Sequence, residues 1–174
     1  FNLASFIDRQ DLLLRNSRAK FMLCMIDLLQ CSRVTVEHNR AEDGYAITRA
    51  RGGDQFLRHV GNWSRGVSHQ CRWWGGNAND TRKLKPGDEG WGTATQVKRY
   101  SRDTDPDYNK YTVGAFDIMV VNNYAEYGTT LAWGAKGRQV IFQGNIARFM
   151  GDYALGSEGG ENIIFNGNIV INSF

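Results

Sequence analysis

Apolar residues along this chain come in short runs, and the runs keep ending in a turn residue followed by asparagine. They read Leu12-Leu13-Leu14-Arg15-Asn16, Val34-Thr35-Val36-Glu37-His38-Asn39 and Leu57-Arg58-His59-Val60-Gly61-Asn62. Three more follow: Ile118-Met119-Val120-Val121-Asn122-Asn123, Val140-Ile141-Phe142-Gln143-Gly144-Asn145 and Ile163-Ile164-Phe165-Asn166-Gly167-Asn168. The closing asparagines recur every 22 or 23 residues, except that 61 residues separate Asn62 from Asn123. A second, glycine-led run follows most of them: Gly44-Tyr45-Ala46-Ile47, Gly66-Val67-Ser68-His69, Gly128-Thr129-Thr130-Leu131, and in the same place Asp152-Tyr153-Ala154-Leu155.

Each repeat is therefore strand, asparagine turn, strand, glycine turn, return. A unit this short cannot bury its apolar face alone, but stacking on its neighbours does so, with rungs ~4.8 Å apart. Asparagine tolerates left-handed backbone and bonds its own turn, and stacked amides can bond along the column. The pattern predicts an all-β solenoid with six asparagines in register and one long interruption at 72–112.

The rungs ending at Asn145 and Asn168, with Gly151-Asp152-Tyr153-Ala154-Leu155 between them, resemble right-handed parallel β-helix proteins of the pectate-lyase-like superfamily. The resemblance covers roughly residues 5–72 and 113–174. It implies a right-handed parallel β-helix and a secreted or cell-surface protein. It does not choose among polysaccharide lyases, glycoside hydrolases, epimerases, tailspikes and adhesins, because a fold does not dictate a reaction. The Leu-x-x-Leu-x-Leu frame of leucine-rich repeats is missing, as are the Asn-Thr-Asp and Asp-Asp signatures of polygalacturonase-type hydrolases.

Composition sharpens this reading. The 174 residues include Gly 20 against Pro 2, with Trp 5, Tyr 7 and Phe 9. Glycine weakens helix interiors, so the profile favours short strands and turns. A formal charge of +3 is too mild to indicate nucleic acid, and no apolar run is long enough to span a membrane as a helix. Cys24, Cys31 and Cys71 lack CxxC spacing and read first as small buried hydrophobes, with one disulfide as the alternative. The expectation is one domain over 1–174, incomplete at both ends; its open rungs make end-to-end stacking or homo-oligomerisation a partner reading.

Candidate chemistry gathers around the interruption. Residues 72–112 hold both prolines, three of the five tryptophans, eight basic residues and six acidic ones. Long insertions in compact domains are usually functional or mobile. Tryptophan beside arginine suits a sugar cleft: the indole covers a pyranose C–H face, and the guanidinium forks onto a carboxylate or sulfate. Trp73, Trp74, Trp91, Arg102 and Trp133 are the candidate substrate-binding residues; the competing reading makes Trp73 and Trp74 packing residues.

For a lyase, which neutralises a uronate and removes the adjacent proton, the candidates are His69, Arg72, Lys98, Arg99, Tyr100 and Arg102. His69 is aligned with Ile47, Leu131 and Leu155 and so expected inside the core, although a one-residue shift would turn it outward. A glycosidase needs two nearby carboxylates, with Glu42-Asp43, Asp152 and Glu158 as candidates. Asp103, Asp105 and Asp107 offer a weak Ca²⁺ site without the spacing of an EF-hand loop, and no other cofactor or metal is expected. The leading expectation is an enzyme cleaving or modifying an acidic polysaccharide in a lateral groove. The alternatives are a non-catalytic glycan-binding adhesin, spike or coat protein, and a trimeric tailspike depolymerase.

Overall fold

Six strands of the smaller sheet stand in the order in which the chain makes them: β2 (Gln10–Arg15), β4 (Ser32–Glu37), β6 (Gln55–Val60), β8 (Ala115–Val121), β11 (Gly137–Gln143) and β14 (Glu161–Asn166). The computed structural model describes residues 2–7, 9–29, 31–51, 54–74, 115–135, 137–158 and 160–173; every regular element among them is a strand. The larger sheet begins with β1 (Asn2–Ile7), β3 (Arg18–Leu29), β5 (Arg40–Arg51) and β7 (Trp63–Trp74). Beyond β7 it divides. One branch runs through β9 (Tyr124–Glu126), β12 (Ile146–Arg148) and β15 (Ile169–Ile171), the other through β10 (Thr130–Ala135) and β13 (Leu155–Glu158).

All pairings are parallel, and partners lie 22 or 23 residues apart, as in Leu12↔Val34 and Val34↔Leu57. Across the interruption the separation is 61, as in Leu57↔Ile118. The chain is a parallel β-solenoid of about five turns. Strand β7 continues to Trp74 and β8 starts at Ala115, so three residues assigned to the interruption, Arg72, Trp73 and Trp74, belong to a strand.

Alternation within the smaller sheet sets the core. Val34, Leu57, Ile118 and Val140 form one buried column; Val36, His59, Val120 and Phe142 form the next. His59 is the polar exception, and its bonds are forced. Gln70 Nε2 donates to Tyr124 O at 2.7 Å and to Ser64 Oγ at 2.9 Å, leaving Oε1 to accept from His59 Nε2 at 3.3 Å. Nδ1 then accepts from the Thr48 hydroxyl at 3.0 Å. Burial pushes this imidazole down to about 3. The cysteines are buried free thiols, as their composition-based reading expected.

Five asparagines form the column, not six. Asn39, Asn62, Asn123, Asn145 and Asn168 follow one pattern: each Oδ1 accepts the backbone N–H of the preceding rung at 2.8–3.0 Å. Each Nδ2 donates to a main-chain carbonyl, such as His59 O from Asn123 at 2.9 Å. Neighbouring amides also bond one another at 2.8–3.2 Å. Asn16 stands one place earlier, in the left-handed column of His38, Gly61, Asn122, Gly144 and Gly167. Ser17 takes the ladder position, its N–H donating to Asn39 Oδ1. Each turn has two adjacent special positions, one left-handed and one in the ladder, and Asn16 fills the first of them.

Candidate functional site on the larger sheet

The register of the larger sheet corrects the alignment of His69. It pairs with Ala46 on one side and Thr130 on the other, while Leu155 pairs with Ala132 in the Cys71 column. The one-residue shift takes His69 out of the core column and leaves it half-buried. Here it meets Arg72 and Tyr45, and Arg72 in turn lies over Trp133.

Arg72 occupies a column that runs Asp27, Arg49, Arg72, Trp133 across β3, β5, β7 and β10. Its Nη1 donates to the Tyr45 hydroxyl and, at 3.2 Å, to His69 Nε2. Its guanidinium carbon stands 4.8 Å from the Trp133 ring centre and 6.0 Å from that of Tyr45. The Tyr45 and His69 rings meet edge-on at 5.2 Å. A guanidinium only donates, so His69 Nε2 accepts; the proton sits on Nδ1, which donates to Thr130 Oγ1 at 2.8 Å. Burial, reinforced by the Arg72 charge and opposed by Asp152, lowers the His69 pKa to about 4. The imidazole is neutral at ordinary pH.

Next to this group Asp27 carries two arginines. Its carboxylate accepts from Arg49 (Nε 2.9 Å, Nη2 2.5 Å) and from Arg51 (Nε 3.1 Å, Nη2 2.9 Å). Asp27 is 5% exposed, the two arginine side chains 20% and 42%. Such side-on forks fix both planes. Tyr45, Arg49, Arg51 and Asp27 were not foreseen, although Asp27 and Arg49 stand one period apart.

The other candidates are scattered. Trp73 is fully buried, 5.8 Å from the Phe142 ring, so it is core and offers no face to a sugar. Trp74 ends β7 with its side chain outside the described residues. Lys98, Arg99, Tyr100, Trp91, Arg102 and the acids Asp103, Asp105 and Asp107 also lie outside them. Glu42 is tied to Arg40 at 3.0 Å and to Lys20 at 3.6 Å, and Asp43 to Lys20 at 3.6 Å. Asp152 is exposed near His69, and Glu158 is exposed at the end of β13 opposite Ala135. Among the described residues no group of three or more His, Cys, Asp or Glu could hold a metal ion.

The class this fold defines is the parallel β-solenoid. No protein-family model matches the chain, and neither a curated protein nor a solved structure matches it.

Proposed function

We propose that this solenoid binds an acidic polysaccharide along the outer face of its larger sheet and acts on it by elimination. The observation that carries the reading is Arg72, held by Tyr45 and His69 beside the Trp133 ring. A fixed guanidinium next to an indole matches a carboxylated pyranose, one group for the anion and one for the apolar ring face. Placement in the pectate-lyase-like superfamily belongs to the same proposal. Elimination fits better than hydrolysis because a neutral imidazole and a phenol adjoin the guanidinium, whereas Asp152 and Glu158 stand on separate exposed stretches.

A second reading, binding without chemistry, draws on one observation: the His69 Nε2 lone pair faces Arg72. A base committed to a cation is a poor proton acceptor until ligand displaces that bond. Incubation with polyuronate separates the two. Under the first reading unsaturated products absorb in the ultraviolet and Arg72→Ala abolishes them. Retained binding without such products supports the second, and failure to bind any acidic polysaccharide sinks both.

A further inference from the structure

Two guanidiniums share one carboxylate at Asp27, and one charge is left over. Arg49 and Arg51 both use the Nε and Nη2 edge on Asp27. Each guanidinium has five N–H groups, so three remain on its outer edge. Among the described residues, neither Nη1 makes a hydrogen bond to protein. Asp27 needs only one arginine for neutrality. The second leaves a net positive charge in a partly desolvated place, held rigid by a nearly buried carboxylate, where an incoming oxyanion gains more than it would from a mobile side chain in water.

We propose that the outer edges of Arg49 and Arg51 form a second oxyanion subsite, adjoining Arg72, for a polymer with acidic groups on neighbouring units. Arg49 and Arg72 are paired residues on adjacent strands, so the two cationic positions lie ~4.8 Å apart along the solenoid axis. A ligand running along this axis meets Arg51 and Arg49 before Arg72 and Trp133. The shared ligand chemistry is an oxyanion, either carboxylate or sulfate. Two further titratable groups feel this charge, the Cys24 thiol and the Asp54 carboxyl; burial pushes the first up to about 11 and the second up to about 7, so below pH 7 neither supplies a full competing anion. The subsite deepens the polysaccharide reading and rests on it for the polymer, but not for the anion.

The test uses the full chain, with inorganic sulfate, polygalacturonate, dextran sulfate and neutral dextran as probes. Arg51→Gln keeps the Arg49–Asp27 pair, and Arg51→Lys keeps the charge without the planar fork; thermal melts confirm that both variants fold. The expected result is that Arg51→Gln weakens the acidic polymer at least tenfold, Arg51→Lys weakens it less, and neutral dextran does not bind. Preference between polygalacturonate and dextran sulfate identifies carboxylate or sulfate. Sulfate should also shift the Arg49 and Arg51 Nε–H signals, an effect lost for both sites in Arg51→Gln. If sulfate shifts them and no polymer binds, the subsite stands and the polysaccharide reading fails. If polymer binds equally to wild type and Arg51→Gln, the subsite is overturned and the polysaccharide reading stands. Silence from every probe overturns both.

Discussion

The indole of Trp73 lies across Gly134 on the neighbouring strand: a Cβ added to that glycine would stand 2.1–2.2 Å from three ring atoms. The missing side chain is what admits the largest residue of the core. Gly134→Ala must expel or tilt the ring. The expected loss is about 3 kcal/mol, the upper end for overpacking, measured by urea denaturation. A melt indistinguishable from wild type would show that the ring is not seated there.

Asn123 sits mid-ladder, accepting from Asn62 and donating to His59 O and Asn145 Oδ1. Asn123→Ala leaves several buried groups unpaired and should cost about 2–4 kcal/mol. Asn123→Asp keeps the acceptor but aims an oxygen at two other oxygens. Its deficit relative to wild type should shrink at acid pH, where a protonated carboxyl donates again. A pH-independent deficit would contradict the assigned amide orientation.

Two buried groups give the stability–pH curve opposing slopes. Asp54 is nearly buried; Oδ1 accepts from Cys31 N at 2.7 Å, and Oδ2 has no partner. Desolvation outweighs these backbone bonds and the Arg51 charge, raising its pKa to about 7. Its native state holds a proton that the unfolded chain releases near 3.8, so stability falls as pH rises between those values, by about 4 kcal/mol at most. His59 runs the other way: its contribution is complete above 6.5 and is lost as pH falls toward about 3. Asp54→Asn should flatten the decline that runs from pH 3.8 up to about 7, and His59→Gln should remove the loss that runs from 6.5 down to about 3. Urea midpoints measured across pH check both, and unchanged slopes in either variant would refute its assignment.

His69 should titrate near pH 4 by NMR, with its proton on Nδ1. Removing the neighbouring cation in Arg72→Ala should raise that midpoint, though not to 6.5, because burial is the larger cause. A midpoint unaffected by the substitution would mean that the guanidinium does not face the ring.

The period was legible because stacking forces every rung to match its neighbour, and each ladder asparagine repeats one bonding pattern. Residue phase within a rung was harder to read. Tyr45-Ala46-Ile47 and Tyr153-Ala154-Leu155 look alike, yet Leu155 pairs in the column of Thr48, one place beyond Ile47. Counting from the ladder places His69 properly: Ala46, His69 and Thr130 each lie seven residues beyond Asn39, Asn62 and Asn123. The Asp27 forks were hidden for another reason. Charged residues on strands usually face water, and only register shows that Asp27 lies beneath two arginines. Trp73 misled by type, since its burial depends on a glycine 61 residues away.

Asn62 and Asn123 join at 3.2 Å, much as partners 22 or 23 residues apart do elsewhere in the ladder. The stack thus registers which strand comes next and is indifferent to how many residues of sequence separate the two asparagines. Such a scaffold can take in extra sequence between two rungs, with the asparagine framework left as it was.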